Sequence, residues 1–282
     1  MKMLMRFIQL SRPGYWFYLF GPFLVGVAAG YNKLDFRLIE IPTLLVAGLF
    51  FLLPANLFLH GLTDFFEQRT SRLKPKKELH ADASQHRDFL LSLLLIITPF
   101  VAVMLYMFIN SENWVVVWAL LGFLVLGMLD SALPVRAKLL PIFDSVFNVL
   151  YVLPGIVGYG ILTGIWPSLQ VIVSATAWCV AMHAFSAINT LKSDKKLQKR
   201  TIATELGKNK TIIFSTTLYI LSAILIYPQV KFFAIIAGFS YAILAIAIYI
   251  AQSKDGVSAV YGLFPYINVL LGVSLLFTAL IG

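Results

Sequence analysis

The sequence predicts an all-α, polytopic integral membrane protein of about nine helices, and three observations carry that expectation. Of its 282 residues, 60% are hydrophobic and only 12% charged, with a mean hydropathy of +0.86. Soluble domains are about a quarter charged, and no soluble core has room for this much apolar surface. Apolar stretches of spanning length recur from end to end without a polar block between them, and the basic residues gather on one side of those stretches.

A span needs about 20 mostly apolar residues. Segments of that kind fall at about 14–31, 40–63, 89–109, 113–130, 143–164, 167–190, 211–227, 230–251 and 258–281. Pro22, Pro54, Pro99 and Pro154 interrupt four of them, which a bundle tolerates because neighbouring groups satisfy the freed carbonyls. With no polar block between segments, residues 1–282 read as one transmembrane domain. Lys2 and Arg6 ahead of an apolar run resemble a signal peptide in outline. Arg12-Pro13 directly precedes the run, however, and further spans follow it, so the first helix is expected to stay.

Alternating the spans places all the Lys and Arg residues except Lys33, Arg37 and Lys231 on one face. The positive-inside rule makes that face cytoplasmic. It carries the N-terminus, with the C-terminus opposite, in what is expected to be a bacterial or archaeal plasma membrane. The net charge of +9 is then a matter of topology and calls for no nucleic acid; membrane lipid headgroups or an anionic substrate would benefit from it. The single cysteine, Cys179, lies in an apolar run and excludes an intramolecular disulfide framework and a cysteine-based metal centre.

Two cytoplasmic loops share a design. Polar residues continue off the end of a membrane helix, and the chain then turns strongly basic. In the first, Asn56, His60, Thr63 or Asp64, and Glu67 recur at spacings of three or four and form one polar stripe on a helix. Arg69, Arg72, Lys74, Lys76 and Lys77 follow. In the second, Asn189, Thr190 and Asp194 precede a run that includes Lys195, Lys196, Lys199 and Arg200. Carboxylates at a helix mouth surrounded by Lys and Arg suit a Mg²⁺–diphosphate. Mg²⁺ takes hard oxygen ligands and shares them with substrate phosphates, and Lys and Arg take the remaining phosphate oxygens. An apolar cavity above would hold a hydrocarbon tail. Asn56 is deep enough to face such a cavity or to bond a neighbouring helix. Arg136 and Lys138, in the fourth-to-fifth loop, would either grip phosphate or anchor topology. Tyr151 is a candidate for the lining. No P-loop, dinucleotide fingerprint, nucleophile elbow or paired-histidine zinc motif is present.

At these loops the sequence resembles the UbiA superfamily of membrane prenyltransferases, most of all the branch of the lycopene elongases. The likeness runs through Ser11-Arg12-Pro13, Pro54-Ala55-Asn56-Leu57-Phe58-Leu59, Pro75-Lys76-Lys77 and the stretch from Ser131 to Lys138. It continues in Asp144-Ser145, Asn148, Tyr151-Val152-Leu153-Pro154-Gly155, the stretch from His183 to Ile188, and Ala203-Thr204-Glu205-Leu206-Gly207. The resemblance implies transfer of a prenyl group from an allylic polyprenyl diphosphate to a lipophilic acceptor, a carotenoid or quinone precursor. Mg²⁺ on two Asp-rich motifs would assist ionisation. Asp64, Glu67 and Asp194 would be the catalytic metal ligands; Asn56, His60, Lys76, Arg136, Lys138, Asn189, Lys195 and Tyr151 would bind substrate.

The sequence also departs from the pattern. The first motif has the form N-D-x-x-D-x-x-x-D, and those positions read Thr63, Asp64, Glu67 and Ser71. The second, D-x-x-x-D, reads Thr190 and Asp194. Asp130 stands where the family usually has Tyr and could lend a further carboxylate to the metal. The losses leave an alternative open: a catalytically impaired relative that binds a polyprenyl lipid or a membrane partner. A secondary transporter would instead place its charges near mid-membrane.

Overall fold

The computed structural model describes residues 2–31, 41–70, 83–132, 135–251 and 253–281, and every regular element among them is helical. A short α1 (Lys2–Leu10) leads through a 3-10 turn at Pro13–Tyr15 into α2 (Phe17–Tyr31). There follow α3 (Ile41–Leu52), α4 (Pro54–Thr70), α5 (Ala83–Asn110), α6 (Trp114–Ser131), the single turn α7 (Phe143–Val146) and α8 (Leu153–Thr163). The chain ends in four longer helices, α9 (Leu169–Lys196), α10 (Ile202–Val230), α11 (Phe232–Ile250) and α12 (Lys254–Ile281). Among the described residues, eight stretches are long and apolar enough to cross a membrane; two are composite, Ile41–Phe66 from α3 and α4, and Phe143–Thr163 from α7, a 3-10 segment and α8. The first expected span, 14–31, is met by α2, which starts at Phe17 after the Pro13–Tyr15 turn and has 15 described residues, fewer than those eight.

Several boundaries are decided by residues that hydropathy does not weigh. The break between α3 and α4 falls at Pro54, whose ring nitrogen cannot donate. Asn56 compensates: its amide nitrogen donates to the carbonyls of Phe51 at 2.9 Å and Leu52 at 3.1 Å. The basic stretch after the sixth span was expected to be a loop. It is helical up to Lys196 and again from Ile202, because exposed lysines do not end a helix. Thr201 and Thr204 form a reciprocal cap that restarts the chain as α10. Gly207, at φ 76°, then kinks α10 before its membrane portion.

The helices form a closed ring in which α9 packs on α10, α10 on α11, α11 on α12, and α12 returns against α2. The tightest seam joins α2 to α8. A methyl group on Gly26 would lie 2.0 Å from the Gly155 carbonyl oxygen, and one on Gly158 would lie 2.3 Å from that of Phe23. Membrane helices lack a hydrophobic drive toward each other, so backbones that approach this closely supply the dispersion contact instead. This seam fixes α2, with Arg12 and Tyr18 at its head, against the segment that carries Tyr151. Gly26→Ala should force the helices apart and destabilise the bundle by about 1–3 kcal/mol, read as a lower thermal midpoint of the purified protein; Gly21→Ala, where a methyl group meets open space, should leave it nearly unchanged.

Candidate active site

Arg12 reaches the end of α4 from the turn that opens the first span. The turn is held locally: the Ser11 hydroxyl donates to the Ile8 carbonyl at 2.7 Å and accepts from the Trp16 indole at 3.0 Å. Arg12 itself sits in the left-handed region at φ 51°, unusual for a residue with a side chain. Its guanidinium donates to the Asp64 carboxylate at 2.7 Å. His60, one turn earlier on α4, packs edge-on against Tyr15 at 5.8 Å and within electrostatic range of Arg12. Arg136, which is buried, also holds a left-handed conformation at φ 43° and precedes a 3-10 turn at Ala137–Leu139. Backbone outliers of this kind cluster at functional sites.

Next to Asp64, the Thr63 hydroxyl meets that of Ser131 at 2.8 Å, and Ser131 donates to Asp130 at 3.3 Å. A hydroxyl has one proton to give. With the Ser131 proton committed to Asp130, Thr63 is the donor across the α4–α6 contact. The carboxylate that the chain carries in place of a tyrosine is therefore joined to the first acidic helix through two hydroxyls. Lys138 and Asp144 lie within electrostatic range of Asp130. Tyr151, half-buried, lies within the same range of Asp130, Tyr18 and Arg12.

Asp144, 1% exposed, binds the site's two halves together. Its carboxylate accepts the Ile202 backbone N–H at 2.9 Å and the Ser145 hydroxyl at 3.4 Å. Ser145 in turn meets His183 Nδ1 on α9 at 3.1 Å. The loop after α6 is thus fastened to α9 and to the first turn of α10, beside the second acidic motif. A carboxylate on the free amides of a helix start is also where the helix dipole favours it. Asp194 is buried at 8% exposure, and its carbonyl accepts the Lys199 N–H at 2.9 Å.

The expected substrate contacts divide. Asn56 is 2% exposed and spends its amide on the Pro54 break, a different use from substrate contact. Asn189 accepts from Ser258 at 3.3 Å and ties α9 to α12. Lys195 is exposed. His60, Asp64, Asp130, Arg136, Lys138 and Tyr151 are assembled at one end of the bundle. Glu67 lies on α4 but its side chain is outside the described residues, as is the whole of Lys76. The residues that sequence reasoning passed over are Arg12 as the partner of Asp64, and Asp144 as the fastening of the loops. The Ser11-Arg12-Pro13 turn was a signal for the first; nothing local signals the second.

Among the described residues no three His, Cys, Asp or Glu side chains are close enough to form a preformed metal cage. The donors nevertheless suit Mg²⁺, which keeps several waters and takes one or two carboxylates together with substrate phosphates. Asp64 and Asp130 supply such carboxylates, Thr63 and Ser131 hard hydroxyl oxygens, and the Arg12 guanidinium shows that Asp64 already receives a cation.

No family model matches the chain. It is 30% identical over 282 aligned residues to a lycopene elongase/hydratase of Haloarcula japonica, covering 94% of this chain and 88% of that protein. It is 33% identical over 272 residues to one of Haloferax volcanii, with coverages of 96% and 87%. The chain belongs to the UbiA prenyltransferase superfamily, in its lycopene elongase-like branch. The fold agrees with that membership. A UbiA homologue from Archaeoglobus fulgidus superposes with a TM-score of 0.70 at 18% identity, covering 98% of this chain and 99% of that one. The same homologue bound to GPP and Mg²⁺ superposes at 0.67 and 17% identity, with coverages of 96% and 99%. This UbiA-superfamily chain is thus an integral membrane protein with a UbiA-like fold.

Asp144→Ala would strand the buried Ile202 amide, at a cost of about 1–3 kcal/mol. The expected result is a lower thermal midpoint, with Asp144→Asn, which keeps an acceptor oxygen, losing clearly less.

Proposed function

We propose that this chain is a prenyltransferase that moves a prenyl group from an allylic diphosphate to a carotenoid-type acceptor inside the bilayer. The observation that carries the reading is the junction of Arg12, Asp64, Thr63, Ser131 and Asp130 at one end of the bundle, next to Arg136, Lys138 and the half-buried Tyr151. The names of the halophile relatives and the GPP and Mg²⁺ held by the Archaeoglobus fulgidus homologue support it. By the positive-inside rule this end faces the cytoplasm, with the N-terminus, where soluble diphosphates are available.

In this reading Asp64 and Asp130, with Asp194 and Glu67 from the two acidic motifs, hold the Mg²⁺–diphosphate head. Bound Mg²⁺ supplies neutralising charge to the leaving group. Arg12 moves its guanidinium from Asp64 to the diphosphate, and Arg136 and Lys138 meet the negative charge that develops as the carbon–oxygen bond breaks. The faces of Tyr151 and Tyr18 stabilise the allylic cation, and the apolar surroundings exclude bulk water. The acceptor's double bond then forms the new carbon–carbon bond, and the cation left on the acceptor loses a proton to the released diphosphate, which gives a neutral alkene. A second reading, lipid binding without turnover, draws on Thr190 and Ser71, where the family pattern has acids.

Reconstituted protein given dimethylallyl diphosphate, Mg²⁺ and lycopene should release diphosphate and add one prenyl unit to the acceptor, with EDTA abolishing both. Asp64→Asn should lower kcat by about 100-fold or more, roughly 3 kcal/mol of transition-state stabilisation. Binding of lycopene with no diphosphate release from dimethylallyl, geranyl or geranylgeranyl donors would replace this reading with the second one.

A further inference from the structure

One contact in the acidic site is made before any ligand arrives. Arg12 Nη2 donates to Asp64 Oδ1 at 2.7 Å. The other positions of the first acidic motif are Thr63, Glu67 and Ser71, so Asp64 is its one aspartate. A cation of the chain itself already sits on that carboxylate.

The backbone beneath Arg12 is fixed. Its N–H donates to the Gln9 carbonyl at 3.1 Å, and its carbonyl accepts the Tyr15 N–H at 2.8 Å. Ser11, fully buried, ties the turn to Ile8 and Trp16. Phe7 of α1 packs into the same core as Leu62 of α4. The two charged side chains are less confined, at 41% exposure for Arg12 and 24% for Asp64. Their contact joins one guanidinium nitrogen to one carboxylate oxygen, although a guanidinium has five N–H donors. A partly exposed, single-point pair of this kind contributes little stability. The anchor is rigid and the grip is weak, so the side chain can change partner while the turn stays in place.

A diphosphate is the better partner. It carries more charge than a carboxylate, and its oxygens accept a guanidinium through two parallel hydrogen bonds. Its arrival draws Arg12 away and opens Asp64 to a hard cation. A metal ion arriving first has to displace Arg12, and so frees the guanidinium for phosphate. Whichever ligand binds first parts the ion pair, and the second does not have to part it again. By linkage, each then tightens the other by the same factor.

We propose that Arg12 is a placeholder cation that neutralises Asp64 in the empty site and makes metal and diphosphate bind as a unit. The identity of the two ligands rests on the prenyltransferase reading above. Arg12 is in this sense a positioning residue whose two partners, Asp64 and phosphate, are taken in turn. The placeholder suits a motif with a single aspartate. Such a motif holds a lone metal ion poorly, and the phosphate oxygens that complete the metal's ligands arrive only when Arg12 lets go of Asp64.

The test is direct binding, without turnover. Mn²⁺, standing in for Mg²⁺, is titrated against the purified full chain in neutral detergent by electron paramagnetic resonance. Equilibrium dialysis of radiolabelled inorganic diphosphate, with and without Mg²⁺, gives the coupling. Arg12→Gln should bind Mn²⁺ alone about fivefold more tightly than the wild type, the gain expected when a partly exposed ion pair no longer competes. Tighter binding cannot come from a misfolded variant. The same substitution should lower the enhancement of diphosphate binding by Mg²⁺ about fivefold. Both changes should vanish when Arg12→Gln is combined with Asp64→Asn. Unchanged or weaker Mn²⁺ binding by Arg12→Gln, or a gain that survives the loss of Asp64, would overturn the proposal. Intact coupling with no prenyl transfer removes the transfer reading and supports the placeholder. Transfer by a wild type whose coupling Arg12→Gln leaves unchanged removes the placeholder alone.

Discussion

The hydrocarbon interior of a bilayer offers no hydrogen-bond partner, so every polar group inside this bundle has to be met by another from the same chain or by a bound molecule. That constraint explains most of the side-chain geometry. Asn56 turns onto the carbonyls that Pro54 leaves exposed. Ser174 on α9 donates to the Ser222 carbonyl on α10 at 2.8 Å, and Asn113 reaches the Gly160 carbonyl at 2.8 Å. Where such matching is complete the contact is structural.

The same principle organises the basic end. Three connections that are far apart in sequence are joined there: the Arg12 turn to α4, α4 to α6, and the loop after α6 to α9 and α10. Each junction uses a carboxylate or a hydroxyl near a helix terminus, where free backbone amides and charged side chains are both within reach. The acidic motifs are therefore held on a continuous frame. Both are borne by helices that continue past the apolar span, α4 to Thr70 and α9 to Lys196. A carboxylate on a continued helix is positioned far better than one on a free loop, which matters for a site that has fewer acids than the family pattern.

Much of this was legible in one dimension. The spans, their approximate ends and the sidedness of charge follow from hydropathy, because lipid imposes one simple rule on every residue of a span. The acidic helices were legible from the three- and four-residue spacing of Asn56, His60, Asp64 and Glu67. Less was legible about use. Asn56 belongs to the polar stripe by spacing yet serves the backbone. Lys195 belongs to the basic run yet points outward. Asp144 carries no local signal, since its partner is an amide 58 residues away.

The sequence by itself determined that this chain lives in a membrane, where its helices run, which end gathers charge, and which superfamily it resembles. These are properties of composition and periodicity, which act locally. Only the tertiary structure decided that Arg12 neutralises Asp64, that Asp130 joins the first acidic helix through Thr63 and Ser131, that Asp144 fastens the loops, and that Tyr18, Tyr241 and Asn268 meet. Those facts depend on which helices touch. Contact is set by close glycine seams such as Gly26 against Gly155 and by pairwise matching of buried polar groups, neither of which has a period that a sequence can display.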